Sequence, residues 1–204
     1  MKIICIGRNY VAHVRELNNE VPEEPVFFMK PDSSLLRNND AFYIPEWTQD
    51  VHHEIELVLR ISRVGKGIEK KFAHRYYDAV TLGIDFTARD VQNVLKSKGL
   101  PWEKAKAFDR AAVLSNTFVP VADFPDLQNI LFRLDINGSV VQQGDSALMI
   151  FGFDEIVSYV SQFVTLKIGD LIYTGTPAGV GQVKPGDQLE GYLREEKLLD
   201  FKVK

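Results

Sequence analysis

Apolar residues along this chain gather into short runs bounded by turn residues, a pattern that predicts a β-rich fold with few helices. Lys2 to Ile6 reads as a buried strand ended by Gly7. Val26-Phe27-Phe28-Met29 reads as another, stopped by the turn-forming Lys30-Pro31-Asp32-Ser33-Ser34. Val51-His52-His53-Glu54-Ile55-Glu56-Leu57-Val58 alternates, so one strand would carry Glu54 and Glu56 on one face and His53, Ile55 and Leu57 on the other. Arg8 to Leu17 has helical composition, and Pro22 and Pro25 follow it in an exposed, mobile connection. Ile68, Phe72 and Tyr76, spaced at four, predict a helix with one buried side, and His74 falls on its surface. Val80 to Ile84 is strand-like and runs into Asp85, after which Thr87 and Asp90 resemble a capping box. The helix they open turns Val91, Val94 and Leu95 inward and closes near Gly99. Leu100 to Asp109 has no readable period.

From residue 113 onward the pattern is mainly β. The runs Ile130–Ile136 and Ser139–Gln142 flank Asn137-Gly138, a strong hairpin signal, and Asp154 would cap a helix through Ile156, Tyr159, Val160 and Phe163. Gly169 to Tyr173 enters a glycine-rich loop, Thr174-Gly175-Thr176-Pro177-Ala178-Gly179-Val180-Gly181, and a closing meander ends the chain. With no repeat, linker or low-complexity segment, the expectation is one β-rich domain with three or so short helices.

Composition narrows the function classes. The chain has 204 residues, 45% hydrophobic and 25% charged, with a net charge of -4. No basic run exceeds a couple of residues, which argues against a nucleic-acid partner. A single cysteine, Cys5, excludes an internal disulfide and a thiolate metal site and fits a reducing compartment. The apolar run at Met1–Gly7 is too short for a signal peptide and lacks the look of a transit peptide, and no stretch approaches a membrane span, so a soluble cytoplasmic protein is expected.

The candidate chemistry begins at Glu54 and Glu56. Two carboxylates on one face of an apolar strand lie roughly 7 Å apart at Cα, near enough to converge on one cation. A half-exposed sheet with glutamates in water is the alternative. His13 and Glu16, three apart on a helix, can touch, and a carboxylate there orients the imidazole and raises its basicity; a solvated helix face is the plainer reading. Asp85 stands where a strand gives way to a helix, with Arg89 and Gln92 sharing a face beside it. The loop at 174–181 matches neither the dinucleotide fingerprint nor the P-loop, though its backbone N–H groups can meet a carboxylate.

Taken in order, Glu54-x-Glu56, Asp85, Lys106 and Thr174-Gly175-Thr176-Pro177 make the chain resemble the fumarylacetoacetate hydrolase family, from about Gly7 to the C-terminus. Gly7-Arg8-Asn9-Tyr10, His13-Val14-Arg15-Glu16, His52 to Leu57, Asp85 to Gln92 and Gly99-Leu100-Pro101-Trp102 are most similar to its short acylpyruvase/oxaloacetate decarboxylase branch. The resemblance implies a mixed β-sandwich roll with a few short helices, as a homodimer, with residues 1–204 forming a single catalytic domain that has no extra N-terminal domain. It also implies that Glu54, Glu56 and Asp85 ligate a divalent ion, Mg²⁺ with Mn²⁺ as a substitute, a role suited to hard oxygen donors. Zinc would have to recruit His52 or His53.

In that branch a small 2-oxo acid chelates the ion, and the metal stabilises the enolate formed when the adjacent C–C bond breaks. By the same resemblance His13 with Glu16 is the general-base pair that activates water, and Lys106 stabilises the developing oxyanion. Arg89, Gln92, Gly175 and Thr176 bind the substrate carboxylate. Gln142 and Lys30 also fall at family motif positions, although exposed glutamines on a hairpin and a turn lysine are equally good readings. The activity implied is acylpyruvate hydrolysis to pyruvate and a carboxylic acid, oxaloacetate decarboxylation, or both. Because the His13–Glu16 segment precedes a proline-bearing connection, it is expected to act as a lid that orders on ligand binding. Two alternatives remain: an isomerase or hydratase of unsaturated 2-oxo diacids of the 2-hydroxyhepta-2,4-diene-1,7-dioate or 5-carboxymethyl-2-hydroxymuconate type, and a non-catalytic, metal-stabilised binding module.

Overall fold

The computed structural model of the chain describes residues 1–17 and 19–204. The first part of the chain carries strands β1 (Ile3–Gly7), β2 (Val26–Lys30), β3 (Leu35–Leu36), β4 (Val51–His53), β5 (Ile55–Ile61), β6 (Tyr77–Asp85), β7 (Thr87–Ala88) and β8 (Ala112–Leu114). The rest carries β9 (Val119–Pro120), β10 (Leu131–Ile136), β11 (Ser139–Asp145), β12 (Leu171–Tyr173), β13 (Gly181–Gln182), β14 (Gln188–Leu193) and β15 (Glu196–Lys202). Helices are short: α1 (Val11–Glu16), α2 (Arg89–Ser97), α3 (Glu103–Lys106) and α4 (Phe153–Phe163). Among the described residues no helix is long and apolar enough to cross a membrane.

The main sheet runs β2-β1-β12-β5-β6-β8-β3, with β9 also paired to β6. It is mixed, because β1/β12 and β3/β8 are parallel and its other pairs antiparallel. An antiparallel sheet, β11-β10-β14-β15, packs on one face, and Leu57, Leu82 and Ile84 of the main sheet share a core with Phe132, Leu134, Leu189 and Phe201. The opposite face buries a smaller set, Ile3, Cys5, Val58, Leu171 and Tyr173. Strand alternation sorts β5 between the two: Ile55, Leu57 and Leu59 point into the large core, and Glu56 and Val58 point away from it. The result is the expected β-rich roll of two packed sheets with a few short helices, and the Asn137-Gly138 hairpin forms with both residues at positive φ.

Several local expectations are corrected. The stretch 51–58 is two strands rather than one, broken at Glu54. Ile55 N donates to the Gln142 side chain at 3.1 Å, and β4 swings out to pair with β13 and β7 in a third small sheet. Residues Lys70–Arg75 form a 3-10 helix, not an α-helix. Three residues per turn bury Ala73 and leave Phe72 outside, with Lys71 and Arg75 over its ring.

The Thr87–Asp90 capping box does not form: Thr87 belongs to β7, and Asp90 accepts from Thr48 Oγ1, Gln49 N and Val91 N. Helix α2 therefore turns Arg89, Gln92 and Leu95 inward and leaves Val94 exposed. Helix α4 starts from Gly152, since Asp154 is taken by the Tyr77 hydroxyl at 3.0 Å, and Phe163 at its end is exposed. The stretch read as irregular contains α3.

Candidate active site

The β5–β6 ladder explains how acids from separate motifs meet. Ile55 pairs with Ile84 and Glu56 with Gly83, and just past the last rung Asp85 N donates to Glu54 O at 2.9 Å. Glu54, Glu56 and Asp85 thus end together on one face, all buried, with one oxygen of each within 4.8 Å of the others. Gly83, across from Glu56, has no side chain to occupy that face. A Cβ there would stand 2.4 Å from the Tyr173 ring, which lies over it and donates its hydroxyl to Val113 O.

Three buried cations answer Glu54 and Asp85. Lys106 Nζ, delivered by α3, donates to Glu54 Oε2 at 2.7 Å and Asp85 Oδ2 at 2.8 Å. Arg89 from α2 pairs with Glu54 Oε1 and gives Nη1 to Gln92 Oε1 at 2.6 Å. Lys30 Nζ stands 2.7 Å from Asp85 Oδ1, an ion pair off the line of a hydrogen bond, and donates to Ala111 O at 3.1 Å and to Lys106 O.

Electrostatics divide the acids. Burial works to raise the Glu54 pKa, but Lys106, Arg89 and His13 outweigh it and hold the group well below the usual carboxylate range. Glu56 is pushed well above that range, by burial first and then by the charges of Asp85 and Glu54, against which the Gly175 N–H, 2.6 Å from Oε2, and the charge of Lys106 offer only partial relief. Burial would lower Lys106, yet Asp85 and Glu54 overturn that and keep it charged. A buried carboxylate crowded by two others is what a divalent cation relieves, and three hard oxygen donors suit magnesium or manganese. The histidines beside them turn elsewhere: His53 Nδ1 meets Gln142 Oε1 at 2.8 Å and His52 Nε2 meets Asp50 Oδ1 at 2.9 Å.

The acids open onto a cavity of about 40 Å³ that is also lined by His13, Arg89, Gln92, Lys106 and Thr176. His13 Nδ1 lies 3.3 Å from Glu16 Oε2, as the helical spacing predicts. Glu16 stays behind the imidazole, and its other oxygen accepts from Gly179 N at 2.9 Å. Gly175 has spent its N–H on Glu56, and its φ of +103 beside Asn9 leaves no room for a side chain. Gln142 is neither exposed nor lining the cavity. Its amide ties Ile55 N and His53 to Thr176 Oγ1 and Pro177 O, so it positions the loop.

Arg8, Lys96, Phe28 and Trp102 also line the cavity. Sequence reasoning gave them no role, although Lys96 lies seven residues, two helical turns, beyond Arg89. A wider cleft of about 670 Å³ near Lys70, Phe124 and Phe153 shares no residue with the acids, so size does not locate the chemistry.

The family described as "Fumarylacetoacetate (FAA) hydrolase C-terminal" matches residues 2–200. An oxaloacetate decarboxylase, mitochondrial, of Dictyostelium discoideum is 43% identical over 190 residues, covering 93% of this chain and 87% of that protein. The oxaloacetate tautomerase YcgM of Escherichia coli (strain K12) is 42% identical over 189 residues, covering 92% and 86%. Among solved structures, the fumarylpyruvate hydrolase of Pseudomonas aeruginosa, in complex with Mn²⁺ and pyruvate, superposes with a TM-score of 0.94 at 34% identity and covers 100% of this chain and 89% of that one.

Proposed function

Because the chain belongs to the fumarylacetoacetate hydrolase family, we propose that it is a divalent-metal-dependent enzyme acting at C3 of short 2-oxo acids. It interconverts the keto and enol forms of oxaloacetate and releases pyruvate from oxaloacetate, from acylpyruvates, or from both. The observation that carries this reading is the meeting of three buried carboxylates within 4.8 Å at a cavity that also receives an imidazole backed by a carboxylate. The names of the relatives supply tautomerisation, which the motifs alone did not suggest.

Glu54, Glu56 and Asp85 hold the ion, magnesium or manganese, which when bound supplies Lewis acidity and a seat for the carboxylate and keto oxygens of the substrate. The manganese and pyruvate of the Pseudomonas aeruginosa relative support that assignment. Arg89, oriented by Gln92, and Thr176 receive the substrate carboxylate. Lys106 places a fixed positive charge where oxygen becomes negative. His13, with Nδ1 engaged by Glu16, takes protons at Nε2.

In tautomerisation that proton comes from C3. In acylpyruvate hydrolysis it comes from water, whose oxygen bonds to C4; the C3–C4 bond then breaks and C3 is protonated, giving pyruvate and the acyl acid. Decarboxylation of oxaloacetate needs no water: the C3–C4 bond breaks, C4 departs as CO₂, and C3 takes a proton.

The test is a coupled pyruvate-release assay, with the enol of oxaloacetate followed by ultraviolet absorbance, run with Mg²⁺, Mn²⁺ or EDTA. Turnover lost in EDTA and in His13→Ala is expected. Absence of any metal-stimulated conversion of oxaloacetate and acylpyruvates would refute the proposal, and ketonisation of a hydroxymuconate-type diacid in their place would favour the isomerase. The single catalytic domain, the homodimer and the cytoplasmic setting belong to the same proposal, and light scattering in solution reads the dimer.

A further inference from the structure

We infer that Arg8 and Lys96 form the receptor for the second carboxylate of a 2-oxo dicarboxylic acid and make the site prefer a short diacid over a monoacid. The inference rests on the reading above of where the 2-oxo end binds.

Charge at the cavity is the first argument. Its lining includes four cationic side chains, Arg8, Arg89, Lys96 and Lys106, against the carboxylates of Glu54, Glu56 and Asp85. With a divalent ion added, the cavity is three charges positive; a monoanion leaves two uncompensated and a dianion leaves one. A low-dielectric pocket makes that difference count.

Pairing is the second argument. Arg89 and Lys106 already hold Glu54 and Asp85. Among the described residues, Arg8 and Lys96 meet no carboxylate within 4.0 Å, and the Lys96 ammonium donates only to Asn19 Oδ1, at 3.3 Å. Burial, then the charges of Arg8, Arg89 and Lys106, lower the Lys96 pKa, the mark of a cation facing other cations without an anion between them.

Placement is the third. Arg89, Gln92 and Lys96 share one face of α2, and Lys96 lies one turn, about 6 Å along the axis, beyond Gln92. That offset suits a short chain whose near end is held at Arg89 and Gln92. From the other side Arg8 adopts a left-handed backbone at φ 59, unusual for a side chain of its size. The next residue pins that conformation: Asn9 Nδ2 donates to Phe151 O and Thr174 O, and Asn9 Oδ1 accepts from Phe151 N. A costly backbone held by a fully buried side chain keeps Arg8 in the cavity lining, close enough for its charge to act on Lys96.

Malate and lactate share a 2-hydroxy acid head and differ in the second carboxylate. Calorimetric titration of the Mg²⁺-loaded protein with each is expected to show malate favoured at least tenfold. In Arg8→Gln and in Lys96→Gln that ratio falls at least fivefold, and Lys96→Arg, which keeps the charge, retains most of it. A wild-type protein without malate preference overturns the inference, as does a ratio unchanged in both glutamine variants or an equal weakening of malate and lactate. Failure of the functional reading looks different: no 2-oxo acid is turned over, while malate selectivity still depends on the two cations.

Discussion

Glu56 is the residue at which stability and function pull apart. Its carboxylate shares a 4.8 Å cluster with Glu54 and Asp85, and the metal-free fold carries the cost of that crowding. Glu56→Gln keeps the shape and removes the charge. We expect it to melt at or above the wild-type temperature in EDTA while losing magnesium binding and about 100-fold or more in turnover; wild-type turnover in this variant would remove Glu56 from the site.

Lys30 presents the opposite case, a fully buried cation paired with Asp85 and donating to backbone carbonyls at Lys106 and Ala111. Lys30→Met leaves Asp85 Oδ1 and the two carbonyls without their partner while Lys106 still holds Oδ2, so it should cost about 1–3 kcal/mol by urea unfolding. The two residues differ in legibility for a physical reason. Glu54-x-Glu56 declares its shared face through strand period alone, whereas the partners of Lys30 arrive from distant segments and leave no mark near it.

At the scale of elements, periodicity read the strands well and the helix faces poorly. Strands here are packed on both sides, so alternation alone sorts Ile55 and Leu57 from Glu56. The inner face of α2 is polar because it serves the acids: Arg89 and Gln92 point in, Val94 points out, and a hydrophobic stripe misleads. Glu54 sits at a strand break rather than within a strand because a side chain, Gln142, replaces the neighbouring backbone as acceptor for Ile55 N, and no local rule anticipates that.

The lid is also an element-scale matter. A cavity of about 40 Å³ has room for a few waters at about 10–15 Å³ each, so a 2-oxo acid requires something to move. Helix α1 is only six residues long, has no side-chain cap, and reaches the loop through the bond from Gly179 N to Glu16. Hydrogen exchange in residues 10–17 should slow at least fivefold when Mg²⁺ and oxalate are added together. Unchanged exchange there, with oxalate bound, would assign the opening to another segment.

For the whole molecule, the site lies on a ladder that reaches both hydrophobic clusters through β5. Leu57 and Leu59 of β5 face the large core, Val58 faces the smaller one, and the acids close the end of the same strand pair. A metal ion at that point therefore binds only when both sheets are assembled, and its binding free energy adds to the stability of the entire fold rather than of a loop. At 100 times its dissociation constant the ion should contribute about 2.7 kcal/mol. For a chain of this length that corresponds to a rise in melting temperature of roughly 5–11 °C. The rise should appear as a shift of one cooperative transition and reverse in EDTA. Manganese should act as magnesium does, because a site of three carboxylates distinguishes the two weakly. Glu56→Gln should abolish the shift without abolishing the transition. If calorimetry shows a transition indifferent to both ions, the acids are paired only by Lys30, Arg89 and Lys106, and the chemistry assigned to C3 loses its anchor.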